Sequence, residues 1–229
     1  MATLVSERLD EPWRRRLFLP SYQIAEAATY AGISTQTVVA WHKIEAALLA
    51  QRDKRAALSY MQLIEVAVVA AFRKAGVSMK RIRATREWAA HSLKSEFPFA
   101  EYSFKENARH LYLDSGQIDV KEGTVLQADQ EGQLEWELII GRLREFDYED
   151  IVMRWHVAGR SSPIIIDPQI SFGAPAVRGT PTWVIRGRWD AGESDTDIAE
   201  DFGIEKDEVK EALKFEGVVA GGRGKSRVH

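Results

Sequence analysis

Between residues 21 and 43 the apolar positions recur at helical spacing. Ile24, Ala27, Ala28 and Ala31 fall at i, i+3, i+4 and i+7, which predicts one apolar face of a short helix. Gly32 stops that helix with a residue that accepts positive φ. Ile33 packs the corner, and Ser34 is a good N-cap for a second helix. In that second helix Val38 and Trp41 face inward, leaving Thr35, Gln36, Val39, Ala40 and Lys43 on the other side. Small alanines let two such helices approach closely, and the outward face is polar, small and free of acids. The pattern is a helix-turn-helix, which either presents its second helix to a DNA major groove or is a compact helical pair inside an ordinary core.

Further on, Leu48-Leu49 and Ala56-Ala57-Leu58 flank a polar tip with Arg52, Lys54 and Arg55, a pattern that predicts a small hairpin, or basic wing. Ser59 and Gln62 form a capping box, with Leu58 and Leu63 placed as a hydrophobic staple. The helix they open runs to about Ala75 and is apolar almost all round, through Val66, Val68, Val69 and Phe72. Such a helix is the buried centre of its domain or part of a subunit contact. Ser78 then caps a helix carrying Lys80, Arg81, Arg83 and Arg86. Alternation over 109–113 and 117–121 around Asp114-Ser115-Gly116 predicts a hairpin. A helix is expected over Gln133–Phe146, and strands over Met153–Val157 and Ile164–Ile166. A second helix-turn-helix pattern follows: Ile198-Ala199, Gly203-Ile204, then Val209 and Ala212-Leu213, with Ser194 as the cap and Asp195 and Asp197 in the first turn.

Charge separates the two helix-turn-helix patterns. Residues 1–95 hold 15 Lys and Arg against 8 Asp and Glu, whereas residues 96–216 hold 13 against 26. A phosphate-binding surface must be positive, so nucleic-acid contact is expected at the N-terminal end. There, Gln36 suits a bidentate adenine contact, and Thr35 or Val39 a thymine methyl. Lys43, Arg52, Lys54 and Arg55 suit phosphates, and Ser34 and Thr37 complete the DNA-facing set. Arg14-Arg15-Arg16 is a solvated run or a further phosphate contact. The second would-be recognition helix begins Glu205-Lys206-Asp207-Glu208 and would repel phosphate, so it is expected to meet protein or solvent. Residues 217–229 read as a flexible basic tail.

The 229 residues contain no cysteine, which excludes disulfides and thiolate metal sites. No apolar run approaches the ~20 residues of a membrane helix, and a soluble cytoplasmic protein without membrane contact is expected. The histidines are scattered without metal spacing, and no glycine-rich phosphate loop is present. No enzyme activity, catalytic residue, metal or cofactor is expected.

Tyr22-Gln23-Ile24-Ala25-Glu26, Gly32-Ile33-Ser34 with Thr37, and Leu58-Ser59-Tyr60 through Lys74-Ala75-Gly76-Val77-Ser78 to Ile82 resemble the MerR-type winged-helix family over roughly residues 20–90. The wing lacks that family's usual glycines and tyrosines, and no long coiled-coil helix follows. Ile165-Ile166-Asp167-Pro168, Phe172-Gly173-Ala174-Pro175-Ala176-Val177-Arg178-Gly179-Thr180-Pro181 and Ala191-Gly192-Glu193-Ser194 resemble a small helical domain of prokaryotic antitoxins. Thr180 runs straight into Pro181, where that family has a basic residue and an isoleucine between them, so the first helix is expected to begin differently. Together the two parts resemble the longer VapB-type antitoxins, which are paired with a PIN-like ribonuclease toxin.

The fold expected is mainly α with short β hairpins: a MerR-like winged helix-turn-helix plus a C-terminal three-helix, helix-turn-helix-like domain. The expected divisions are a DNA-binding domain with a basic arm over 1–95, an α+β connecting region over 96–162, the antitoxin-type domain over 163–216 and the tail over 217–229. The resemblance implies an antitoxin of a type II toxin–antitoxin system. Such a protein binds double-stranded operator DNA, regulates its own transcription and neutralises its PIN-like toxin. Arg223, Lys225 or Arg227 either folds into that toxin's carboxylate pocket or belongs to a loose solubilising tail. Two half-sites need two readers, so a homodimer is expected. The alternatives are a stand-alone MerR-like transcription regulator and a protein-interaction scaffold without DNA binding.

Overall fold

The computed structural model describes residues 12–44, 57–101, 143–149 and 151–218. The chain divides into two compact units, Met1–Met153 and Arg154–His229. Helices predominate among the described residues. The described strands join in a sheet. β1 (Phe146–Tyr148), β2 (Val152–Trp155), β3 (Ile164–Ile166), β4 (Pro175–Val177) and β5 (Thr180–Pro181) make one five-stranded sheet in sequence order. The β2–β3, β3–β4 and β4–β5 pairings are antiparallel. Strands of two to four residues satisfy too few backbone groups in pairs, and only side-by-side assembly covers their edges. Phe146, expected to end a helix, instead opens β1. The expected hairpin over 109–121 and residues 133–142 of the expected helix lie outside the described residues.

In the first unit, α1 (Pro12–Arg16), α2 (Ile24–Ala31), α3 (Thr35–Ile44), α4 (Tyr60–Lys74) and α5 (Met79–Leu93) precede a 3-10 turn at Pro98–Ala100. α4 is the buried centre, with every side chain from Tyr60 to Phe72 buried. Its capping box is formed in both directions: the Gln62 amide donates to Ser59 Oγ at 3.2 Å, and the Ser59 amide to Gln62 Oε1 at 2.9 Å. α2, α5 and the 3-10 turn all pack on α4. Its one acid, Glu65, is 1% exposed, and three elements meet at its carboxylate. Arg86 of α5 donates Nε to Oε2 at 2.7 Å, and the Phe99 amide of the turn donates to Oε1 at 2.8 Å. Arg86 also bonds the Glu96 carbonyl at 2.8 Å, which fixes the chain leading into the turn.

In the second unit, β3–β5 are followed by α6 (Thr182–Asp190), α7 (Asp195–Phe202) and α8 (Lys206–Phe215). The core joins Ile164 and Val177 of the sheet to Ile185, Ile198, Val209, Ala212 and Leu213 of the helices. The irregular spacing at Thr180-Pro181 has a simple outcome. The pair forms the two-residue strand β5, with Val177 opposite Thr180 and Ala176 opposite Pro181, and α6 starts only at Thr182. Proline, which lacks an N–H, is tolerated at such a strand's edge.

Candidate nucleic-acid interface

The helix-turn-helix of the first unit is built by local signals. The Gln23 amide donates to Glu26 Oε2 at 2.6 Å at the start of α2. At its end Gly32 takes φ 62°, ψ 42°, and its amide bonds the carbonyls of Ala28 and Thr29. Ser34 Oγ accepts the Thr37 amide at 3.1 Å, and the two hydroxyls lie 2.8 Å apart, so both serve the start of α3. Ala27, Ala28 and Ala31 of α2 and Val38 and Trp41 of α3 are buried.

That packing fixes which side of α3 is left outward. Ser34, Thr35 and Gln36 are exposed at its N-terminal end, and Thr37 and Val39 are half-buried. Helix α3 extends through Lys43, but the Lys43 side chain lies outside the described residues, as do Arg52, Lys54 and Arg55 of the expected wing. The end of the wing segment is described: Leu58 forms an antiparallel bridge with Tyr22, its amide donating to the Tyr22 carbonyl at 2.6 Å. The chain leading into α4 therefore returns beside the entry to α2. The proposed tail contacts Arg223, Lys225 and Arg227 also fall outside the described residues.

Sequence reasoning missed one residue that holds this arrangement. Lys74, at the end of α4, donates Nζ to the Ala31 carbonyl at 2.8 Å, 43 residues away. A Cβ added at Gly32 would lie 2.8 Å from the same Nζ. The lysine therefore closes the carbonyl end of α2 and lies against the turn that aims α3. A lysine following an apolar helix carries no sequence signal for a partner so distant.

The second unit repeats the geometry with different charge. Ser194 Oγ accepts the Asp197 amide at 3.2 Å, Gly203 takes φ 63°, ψ 35°, and its amide bonds Ala199 and Glu200. The Ile33 and Ile204 amides bond back to Ala28 and Ala199 at 2.9 and 3.0 Å. Where the first unit exposes Thr35 and Gln36, the second exposes Lys206 and Asp207, with Glu205 beside them. Lys210 binds Asp207 at 2.9 Å and holds its carboxyl below the usual carboxylate range, mainly by hydrogen bonding and then by charge.

The second unit also exposes an unexpected apolar group. Ile170, Phe172 and Trp183 are 40%, 79% and 63% exposed. Ser171 and Phe172 both lie in the left-handed region, with φ 48° and 56°. Such backbone costs about 1–3 kcal/mol per residue and persists only when its surroundings hold it. Here Ser171 Oγ donates to the Gly179 carbonyl at 2.9 Å, and the Gly173 amide donates to the Ile170 carbonyl at 2.9 Å.

Among the described residues no group of three or more His, Asp or Glu is placed to hold a metal ion, and no helix is long and apolar enough to cross a membrane. Residues 164–215, from β3 to the end of α8, match the family described as "Protein of unknown function (DUF433)". The crystal structure of Rv2018 from Mycobacterium tuberculosis has the same fold at a TM-score of 0.71 and 19% identity, covering 86% of this chain and 99% of that one. Across 242 aligned residues, 89% of its own length and 97% of the relative's, the chain is 25% identical to the Mycobacterium tuberculosis protein named "Putative antitoxin VapB45".

Proposed function

We propose that this chain is the non-enzymatic antitoxin of a type II toxin–antitoxin pair. As a homodimer in the cytoplasm it binds its own operator through α2 and α3 and neutralises a PIN-like ribonuclease toxin. The DNA half of the reading is carried by one observation: packing through Val38 and Trp41 leaves Thr35 and Gln36 exposed at the start of α3, on the cationic part of the chain. Gln36 takes the base contact and Thr35 or Val39 a methyl contact. Lys43 with the wing residues Arg52, Lys54 and Arg55 holds phosphates. The Leu58–Tyr22 bridge supports a MerR-like wing, because it returns the chain beside the reader helices. The toxin half rests on the near full-length similarity to VapB45 and its printed name.

Binding of the full chain to its upstream DNA, measured against salt, tests the first half. Affinity falls with a log–log slope of about −0.9 per phosphate contacted. Gln36→Ala costs about 1–3 kcal/mol at one base position and relaxes the preference there. A shallow salt dependence, or a Gln36→Ala protein with unchanged preference, contradicts the DNA reading. Co-purification with the product of the adjacent reading frame tests the second half, and a chain that purifies alone contradicts it.

A further inference from the structure

We infer that Lys74 is a phosphate contact of the reader, its ammonium held beside the start of α3 to receive one backbone oxygen of the operator. The inference rests on the DNA reading above and adds to that interface a residue outside both the helix-turn-helix and the wing. Lys74 ends α4, and its Nζ donates to the Ala31 carbonyl at 2.8 Å. The same atom lies 2.8 Å from where a Cβ of Gly32 would stand, so a residue without a side chain is what lets it approach. Gly32, Ser34, Thr35 and Gln36 are all exposed, and so is Lys74. The ammonium is thus fixed against an exposed turn, three residues before Thr35 in the chain.

A lysine ammonium carries three donors. One serves Ala31, and the side chain has no ion pair among the described residues. Its neighbours along the chain offer none: residues 66–86 contain six cations and no acid. The one acid of residues 21–43, Glu26, is engaged at the far end of α2 by the Gln23 amide. A long side chain normally loses rotamer freedom on meeting a phosphate, but the bond to Ala31 has already ordered this one, so the contact costs less. The macrodipole of α2 favours a cation at its carbonyl end. The joint itself does not require one: Gly203 has nearly the same dihedrals, and a Cβ there meets nothing within 4 Å. The fixed cation belongs to the copy proposed to read DNA.

The test titrates the full chain with its upstream DNA and with unrelated duplex DNA across a salt series. In Lys74→Met the log–log slope falls by about 0.9, the share of one phosphate, and affinity falls on the order of tenfold at 50 mM salt. Operator and unrelated DNA lose equally, so sequence preference is kept, and Lys74→Arg restores the slope. A residue that only props the turn behaves differently. Partial unfolding lowers the active fraction and leaves the slope unchanged, whereas a misaimed α3 changes the preference. A Lys74→Met protein with the wild-type slope, or with altered preference, therefore overturns the contact while the DNA reading stands. A wild-type chain with a shallow salt dependence removes the DNA reading and the contact together.

Discussion

Glu65 is an ionisable group in the most deeply buried of the described helices of the first unit, with Arg86, the Phe99 amide and the Tyr148 ring around it. Burial pushes its carboxyl above the ordinary 4.5, against the opposing pull of the Arg86 charge and of its hydrogen bonds from Arg86, Phe99 and Ala100. Tyr148 is raised from 10.0 as well, by burial first and then by the Glu65 charge. A raised Glu65 means that the folded chain holds the proton more tightly than the unfolded one. Its contribution is therefore fully present below about pH 4.5 and is lost as the pH rises through the folded value. Gln mimics the protonated acid at every pH, so the Tm of the wild type minus that of Glu65→Gln falls from pH 4.5 towards neutrality. A difference that grows over that range contradicts the direction of the shift. Arg86→Ala leaves the buried acid with its charge uncompensated and costs about 3–5 kcal/mol in chemical denaturation.

At the scale of the element, Gly32 and Gly203 are equivalent joints with nearly equal dihedrals, φ 62° and 63°, but different surroundings. Nothing lies within 4 Å of a Cβ at Gly203, whereas a Cβ at Gly32 meets the amine of Lys74. Gly203→Ala therefore costs only the left-handed backbone, about 1–2 kcal/mol. Gly32→Ala costs that and also displaces the lysine from the Ala31 carbonyl, adding about 0.5–1.5 kcal/mol. In a Lys74→Met background the extra cost disappears, and a double-mutant cycle measures it. An additive cycle contradicts the coupling.

The two joints also mark what the sequence discloses. Caps and turns are written within a few residues of one another, at Ser59 and Gln62, Ser194 and Asp197, Gly32 and Gly203, so these elements were legible. The Lys74–Ala31 bond, the meeting of Glu65, Arg86 and Phe99, and the outward hold on Phe172 join residues distant in sequence or depend on backbone dihedrals, and no local pattern encodes them. The short strands gave too few alternations to reveal that they assemble as one sheet.

Across the whole molecule, one helix-turn-helix geometry occurs twice with opposite electrostatic surroundings, and in the proposed function charge rather than shape selects the copy that meets DNA. Thr35 and Asp207 stand in the first turns of α3 and α8, and both are exposed. A carboxylate in a helix's first turn is favourable to the helix itself, because it faces the positive end of the macrodipole. Thr35→Glu therefore leaves the Tm unchanged or slightly raised while it sets an anion against phosphate, and operator affinity falls at least tenfold at low salt. Asp207→Asn, at the equivalent turn of the acidic copy, leaves operator affinity and its salt slope unchanged. Both variants are made in the full chain and compared by titration of the same operator fragment. Equal losses in the two would mean that both copies touch DNA. An unaffected Thr35→Glu protein would remove α3 from the interface and leave the exposed start of that helix without its proposed role.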